Sequence, residues 1–590
     1  MRTGRVVLQT KFVVASALLL AGLNPTALVA ATASSPIVTL ADEYLARYVA
    51  AFPEAGTFND LPGADDGGLG DNSAAGVARW RAYEDDIRAR VQKLQIGPGS
   101  PASDRVLHAV LRDELERSAA VRVCRNELWG VASYVNGWQA WLTDLAMIQP
   151  VGTASKRDDA LRRARAIPRF IDNEIVLLEQ GLREGYSSPQ VIVREVIRQV
   201  EELAATEPAR SPFSSPAQRD TDPAFRAAYV AVVADEIHPA LRRYRDFLQQ
   251  RYLPAARAGL GVSANPNGRA CYEAVVRQFS TVAMTADEVY ATGERELRRL
   301  DDEMRPLARR LAGSYDVAHA MRAVTTEPRF MFGSGDEVIA YAQAAQDRAV
   351  AAMPRAFGAY TRVPVKIEPY PEFRARAGAP GQYMGPPEDG SRPPIHLINT
   401  WDPTRKSRSG VESTTFHETW PGHHQQTMVA REAPGQHLLV RAFYNSGFGE
   451  GWALYAERVA DELQLFSGDV DRFGYLASSK FRAVRMVLDA GIHTRGMGYD
   501  EAIERLGSNT DMSAEEVRGE VNRYISWPGQ APSYMIGNLE ILRLREQAKA
   551  TLGPGFDIRE FHDQVLTRGN VTLPLLRELI EEWIARTSSP

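Results

Sequence analysis

The chain has 590 residues, and its formal net charge of −5 is close to balanced. Its arginines are interspersed with aspartates and glutamates, which excludes the one-sided basic surface of a nucleic-acid-binding protein. The two cysteines, Cys124 and Cys271, could form a disulfide in an oxidising compartment, but the sequence does not give their separation in the fold.

The first 33 residues are predicted to be a secretory signal peptide. Arg2, Arg5 and Lys11 give a charged start, and residues 12–23 form an apolar stretch too short to span a bilayer comfortably. Small residues over 27–33 suit a cleavage site, and no cysteine is placed for lipid attachment. We therefore expect an exported protein, periplasmic or extracellular, with no stable membrane association after cleavage. An uncleaved membrane anchor is the alternative.

Helical periodicity dominates the rest of the chain, because apolar residues recur at the spacing of a helix that buries one face. Breaks in this pattern, together with residues that favour helix starts and ends, give the predicted bounds. The predicted helices cover 75–94, 103–121, 156–183, 189–205, 222–251, 285–311, 336–351, 472–493, 513–524, 534–551 and 573–586.

Two segments interrupt the helical pattern. Residues 208–223 are rich in serine, proline and aspartate, and we predict a surface loop there. Residues 363–400 contain two β-like pieces, 363–369 and 395–398, separated by glycine and proline turns. We predict that these pieces form a small sheet that lines a cleft, with an edge that could hold an extended peptide.

The most informative stretch is residues 416–426, which holds three of the ten histidines. Glu418 follows His417 directly, and His423 and His424 come about two helical turns later. A histidine-glutamate pair with a further histidine nearby is typical of a hydrolytic zinc site. A histidine-rich helix start or loop that binds no metal is the alternative.

The spacing differs from the usual one, in which two histidines four residues apart share a helix face. On a regular helix, His423 would lie about 240° round the axis from His417 and would face another direction. His424 would face nearly the same way as His417 but would lie roughly 10 Å further along the axis, too far to share one ion. Pro421 removes a helical hydrogen bond, and Gly422 permits unusual backbone angles. We expect a break there that brings His423 back beside His417, and we favour His423 over His424 as the ligand.

A catalytic zinc site needs three protein ligands, so another is expected downstream. Glu450 and Glu457 share one face of a helix whose apolar residues indicate burial. Buried carboxylates need a cation or a partner. Gly449 and Gly451 flank Glu450 and let another backbone approach, so Glu450 is the predicted third ligand. Glu457 then either orients a ligand histidine or pairs with a core arginine.

Four motifs follow one another along the second half of the chain: 417–426, 450–457, 489–493 and 528–534. Their residues and order resemble the bacterial domain-of-unknown-function family numbered 885. That family is regarded as zinc metallopeptidase-like and is similar in motif order to the thimet oligopeptidase group. The resemblance implies a helical fold with Zn²⁺ in a deep channel. The interval between Glu418 and His423 is two residues longer than in the oligopeptidases.

The expected activity is hydrolysis of short peptides. Zinc held by His417, His423 and Glu450 lowers the pKa of its water toward about 7. Glu418 takes the proton of that water and passes it to the leaving amine.

Two further catalytic residues are predicted from the C-terminal motifs. Tyr534 follows a Pro-Gly turn, and related oligopeptidases use C-terminal tyrosines as donors to the oxyanion; a core tyrosine is the alternative. His493 follows Asp489 by one helical turn and is predicted to bind substrate or orient the site, with charge at a helix end as the alternative. Arg482 and Arg485 could grip a substrate carboxylate or pair with acidic residues.

The expected fold is mainly α, a large two-lobed helical body with a deep cleft and a small β-sheet near the metal site. We predict an N-terminal helical lobe over 34–265 and a catalytic helical lobe over 266–590. The alternatives to a peptidase are a non-catalytic metal- or peptide-binding protein and a non-heme iron enzyme with the same ligands. Glu418 argues against both, since neither needs a base beside a ligand. No oligomeric state is predicted.

Overall fold

The computed structural model describes residues 35–97, 99–370, 375, 381–386, 390 and 392–588. The predicted signal peptide, residues 1–33, lies outside the described residues. The stretch Pro36–Pro590 packs as one unit, and the division into two lobes at residue 265 stays a prediction. Within the described residues, no helix combines the length and apolar character needed to cross a membrane.

Helices follow the predicted amphipathic segments in the first part of the chain. They are α1 Pro36–Ala51, α2 Pro53–Phe58, α3 Ala74–Gln92, α4 Ala102–Val121, α5 Trp138–Ile148, α6 Ala154–Glu184, α7 Gln190–Ala205 and α8 Ser215–Arg219. One continuous run then contains α9 Pro223–Val232, α10 His238–Phe247 and α11 Leu253–Ala255, joined by π-helical turns. It is followed by α12 Gly268–Ser280, α13 Ala286–Ala312, α14 Val317–Thr326 and α15 Gly335–Ala356.

A three-stranded sheet follows these helices, with β1 Lys366–Pro369, β2 Gly381–Met384 and β3 Ile395–Ile398. Its order is β1-β3-β2, with β1 parallel and β2 antiparallel to β3. The two predicted β-like pieces are confirmed as β1 and β3. The short strand β2 lies between glycine and proline turns and was not predicted.

The C-terminal part is again helical, which confirms the predicted fold class. Its helices are α16 Val411–Glu418, α17 His423–Glu432, α18 Leu438–Ala442, α19 Ser446–Glu462, α20 Asp469–Thr494, α21 Tyr499–Ser508, α22 Ala514–Ser526, α23 Ser533–Leu552, α24 Ile558–Leu566 and α25 Leu573–Ser588.

Helix α20 lies at the centre of the packing. All of its residues from Ala483 to His493 are buried, which is the pattern of a helix surrounded by other elements. Helix α13 packs closely on it at Gly293, where an added Cβ would lie 2.8 Å from the Cβ of Met486. Glycine at this position therefore sets the distance between the two helices.

Two features of the first part differ from, or add to, the sequence predictions. The surface loop predicted over 208–223 is wrong, because Phe213 is 1% exposed and anchors the segment, including α8, in the core. Cys124 and Cys271 form a disulfide, with Cα atoms 4.7 Å apart. This bond ties the end of α4 to α12.

Candidate metal centre

The chain breaks its helix between α16 and α17, where the sequence predicted a break. Helix α16 ends at Glu418, α17 begins at His423, and the peptide before Pro421 is cis. A Cβ on Gly422 would overlap the carbonyl oxygen of His417, so only glycine allows the chain to fold back this closely. The rings of His417 and His423 consequently lie 4.9 Å apart, so the break places His423 beside His417.

Helix α19 brings an acidic side chain to these two rings. Glu450 Oε2 lies 3.5 Å from His417 Nε2 and 3.4 Å from His423 Nε2. The three candidate ligand atoms all lie within 4.8 Å of one another. Ligand atoms of a tetrahedral zinc ion are about 3.3 Å apart, given bonds of about 2.0 Å. We call His417, His423 and Glu450 the metal centre, and their spacing fits one small cation.

Glu457 orients the first of these histidines. Its Oε1 accepts a hydrogen bond from His417 Nδ1 at 2.8 Å, and its other oxygen accepts one from the Ser413 hydroxyl. When the ring is neutral, a proton on Nδ1 leaves the lone pair on Nε2, the nitrogen that lies beside Glu450, as in many zinc-bound histidines. Among the described residues no arginine forms an ion pair with Glu457, so the arrangement matches the orienting role and not the pairing with a core arginine.

The charges at the centre favour a cation. Burial lowers the pKa of His417, but hydrogen bonds to Glu450 and Glu457 outweigh this effect and raise it to about 10. Burial raises the pKa of Glu450, but the two histidines lower it well below the usual value. Three carboxylates, including Glu418, therefore surround two imidazoles, and this excess negative charge suits a divalent ion.

Glu418 is held beside the centre by the sheet. Its Oε2 accepts a hydrogen bond from the backbone N–H of Tyr383 at 2.8 Å. Because this N–H is directed away from β3, the free edge of β2 faces Glu418. Sequence reasoning missed this contact, since Tyr383 lies 35 residues before Glu418 and no local pattern links the two.

His424 does not belong to the metal centre. Its Nε2 donates to the carbonyl oxygen of Val363 at 2.8 Å, and its Nδ1 is 3.0 Å from the Tyr383 hydroxyl. Both ring nitrogens are thus used within the protein, and the residue is fully buried. The structure therefore brings His423, and not His424, to Glu450.

Tyr534 lies in the first turn of helix α23, near enough to Glu450 for the charge of that carboxylate to act on its phenol. Burial and the negative charge of Glu450 raise the pKa of its phenol, so the hydroxyl stays protonated and can donate. Helix α23 crosses α19 in direct backbone contact: a Cβ on Gly451 would lie 2.6 Å from the Gly537 Cα, and one on Gly537 would overlap the Gly447 oxygen. The predicted close approach of a backbone beside Glu450 is confirmed.

Tyr444 is a second tyrosine at the centre, and sequence reasoning missed it. Its ring packs against Gly449, and 56% of the residue is solvent-exposed. Enclosure by the protein and the charge of Glu450 nevertheless raise the pKa of its phenol well above the usual value. A side chain that contacts solvent while protein surrounds it lies in the wall of a recess. The metal centre is therefore open to solvent on the side of Tyr444.

His493 is not brought to the metal centre. Its Nδ1 accepts a hydrogen bond from the Val262 N–H at 3.1 Å, and its Nε2 donates to the Tyr524 carbonyl at 2.9 Å. Burial lowers its pKa to about 4, so the ring is neutral and does not place a positive charge near the helix end. The structure does not support the predicted catalytic role; His493 instead ties α20 to the segment before α12 and to α22.

The protein is thus a mainly α-helical body with a partly buried cluster of two histidines and one carboxylate. The chain belongs to the family described as bacterial protein of unknown function (DUF885), whose sequence profile matches residues 53–580. The predicted family is therefore confirmed. No functionally curated protein matches the chain.

Two solved structures share the fold. One is the crystal structure of a candidate lipoprotein from Colwellia psychrerythraea, with 23% identity and a TM-score of 0.84, covering 92% of this chain and 100% of that one. The other is a candidate lipoprotein of unknown function from Shewanella oneidensis, with 17% identity and a TM-score of 0.76, covering 93% of this chain and 100% of that one. At these identities the similarity concerns the fold.

Proposed function

We propose that the protein is an exported zinc-dependent peptidase that hydrolyses short peptides. The observation that carries the proposal is the convergence of two imidazole nitrogens, from His417 and His423, on one oxygen of Glu450. Two histidines and one glutamate are a known ligand set of catalytic zinc. The carboxylate of Glu457 accepts a hydrogen bond from His417, as acidic groups commonly do from zinc-bound histidines.

Bound zinc would supply an activated water and polarise the scissile carbonyl. Glu418 would take the proton of that water and deliver it to the leaving amine, and the N–H of Tyr383 holds its carboxylate in place for this task. Tyr534 and Tyr444 would donate hydrogen bonds to the developing oxyanion, because both phenols keep their protons at neutral pH.

The surroundings of the centre favour an extended and short substrate. Within the described residues no strand pairs with the outer edge of β2, where Glu418 already accepts from the Tyr383 N–H, and an extended peptide can add to such an edge through its remaining backbone groups. The metal centre lies in a recess, since His417 is buried while Tyr444 remains in contact with solvent. A folded protein would not reach a centre placed in this way.

Three observations support export. The first 33 residues have the charged start, apolar stretch and small residues of a signal peptide. The Cys124–Cys271 disulfide is of a kind that persists in oxidising compartments. The two structural neighbours carry names of candidate lipoproteins, which are exported molecules. We propose a periplasmic or extracellular location.

The test combines metal analysis with hydrolysis of a mixed short-peptide library. We expect about one zinc per chain and measurable hydrolysis, both abolished by a chelator and restored by zinc. Glu418→Gln should keep its zinc while kcat falls about 10²- to 10⁴-fold, because the proton acceptor is lost. The matched control is Glu432→Gln, an exposed glutamate on α17, which should behave like the wild type.

Other outcomes would replace the proposal. Bound iron with oxygen uptake would indicate a non-heme iron enzyme with the same ligands. Bound zinc without turnover of any peptide in the library would indicate a non-catalytic metal- or peptide-binding protein. A chain that takes up neither metal would refute the metal centre itself.

A further inference from the structure

Three arginines with little contact to solvent lie together on α20 and α22, and we call Arg482, Arg485 and Arg523 the arginine cluster. Glu520 accepts hydrogen bonds from Arg485 Nη2 at 3.1 Å and from Arg523 Nη1 at 3.2 Å. Burial raises the pKa of Glu520, but these two guanidinium groups outweigh it and lower the pKa to about 2. Glu520 therefore carries one negative charge against three positive charges.

Arg482 has no acidic partner of its own. Its Nη1 donates to the Ser478 hydroxyl at 2.7 Å, and within the described part of the chain no carboxylate lies at ion-pair distance from it. Its Nε is buried without a hydrogen-bond partner, and the same holds for Nη1 of Arg485 and Nε of Arg523. Arg485 and Arg523 share Glu520, and Arg482 and Arg485 share Tyr534, so these unpaired donors belong to neighbouring side chains and indicate a place for an anion.

The arginine cluster lies beside the metal centre. The ring of Tyr534 is 5.9 Å from the guanidinium carbon of Arg482 and 5.0 Å from that of Arg485. Burial lowers the pKa of Arg482, and the charges of Glu457 and Glu450 act on it in the opposite direction. Tyr534 thus neighbours the arginine cluster and also lies close enough to Glu450 for that charge to act on its phenol.

We infer that the arginine cluster binds the C-terminal carboxylate of the peptide, with Arg482 as its main contact. The inference rests on the proposed peptidase function and adds a substrate class, namely peptides with a free C-terminus that are cut close to that end. A carboxylate is the anion that every unmodified peptide carries, and the planar guanidinium fork matches its two oxygens. Among the described residues Glu520 alone lies at ion-pair distance from these three arginines, and it contacts Arg485 and Arg523, so a bound carboxylate would displace no acidic partner from Arg482.

Binding can be measured without turnover in zinc-loaded Glu418→Gln protein. The probes are fluorescein-labelled tetrapeptides with randomised neutral side chains, made once as C-terminal acids and once as amides, and followed by fluorescence anisotropy. We expect the acids to bind about 10- to 100-fold more tightly than the amides, the range for hydrogen bonds to a charged group. Adding Arg482→Gln should reduce this ratio to within about twofold, whereas Arg482→Lys should keep part of it, since the charge remains.

The control is Arg495→Gln, which changes an exposed arginine just after α20 and should leave the acid-to-amide ratio intact. Because both probes are compared on one preparation, the ratio does not depend on the folded fraction. Equal binding of acids and amides would overturn the inference and leave the peptidase proposal standing. Binding of neither form would overturn it too. Acid-selective binding by a chain whose wild type hydrolyses no peptide would support the carboxylate site and overturn the peptidase function alone.

Discussion

The metal centre and the arginine cluster are two enclosed polar groups with opposite excess charge. The first gathers carboxylates around two imidazoles, and the second gathers guanidiniums around the single carboxylate of Glu520. Arg117 offers a contrast, because this buried arginine is paired with both Asp113 and Glu114 and needs nothing further. Buried charge that the protein itself balances has a structural role, whereas buried charge left unbalanced indicates where a ligand belongs.

The arginine side of this comparison is tested most strongly by Glu520→Gln. The change leaves three enclosed guanidiniums without a charged partner, and breaking a buried ion pair costs about 3–5 kcal/mol. The free energy of unfolding, measured by urea denaturation, should fall by that amount. Glu515→Gln, at an exposed position on the same helix, should stay within about 0.5 kcal/mol of the wild type. A Glu520→Gln protein as stable as this control would mean that the cluster is balanced in some other way.

The metal side is tested by a pair of neighbouring substitutions, His423→Ala and His424→Ala. We expect His423→Ala to lower zinc affinity by more than about 100-fold, since loss of an outer-shell group alone costs about 10- to 100-fold. His424→Ala should keep its zinc but unfold at a lower temperature, because the bonds to Val363 and Tyr383 are lost. Competition with a chelating dye measures both affinities. Zinc retained by the first variant and lost by the second would reverse the ligand assignment.

A smaller effect on the metal centre is expected from Glu457→Gln. The amide can still accept the hydrogen bond of His417 Nδ1, but it no longer stabilises the polarised ring with a negative charge. Zinc affinity in the same dye competition should fall about tenfold, the low end for outer-shell losses. Glu462→Gln, at the far end of α19, is the control. An unchanged zinc affinity in Glu457→Gln would show that the negative charge of Glu457 does not contribute to metal binding.

The sequence allowed prediction of those features that depend on local periodicity and on special backbone residues. Most long helices were placed to within a few residues, and the Pro421–Gly422 pair predicted the break that selects His423. Gly451, one of the two glycines beside Glu450, marks the place where a second backbone, that of α23, approaches. In each case the physical cause lies in a few neighbouring residues.

Contacts between distant parts of the chain could not be predicted in this way. Tyr444 has no periodic signature, and the contact of Tyr383 with Glu418 depends on how the sheet docks. His493 was misassigned because a motif does not reveal that its nitrogens bind Val262 and Tyr524. Likewise, the buried position of Phe213 outweighed the polar composition around it.

The glycine contact between α19 and α23 has a mechanical consequence. The two backbones are in contact at Gly451 and Gly537, with no side chain between them. Glu450 and Tyr534 are therefore expected to move together as parts of one rigid unit. If the protein takes a substrate as proposed, the movements that admit it have to occur in elements around the recess other than α19 and α23. A bulkier residue at Gly537 would push the two helices apart and displace Tyr534 without replacing any residue of the metal centre.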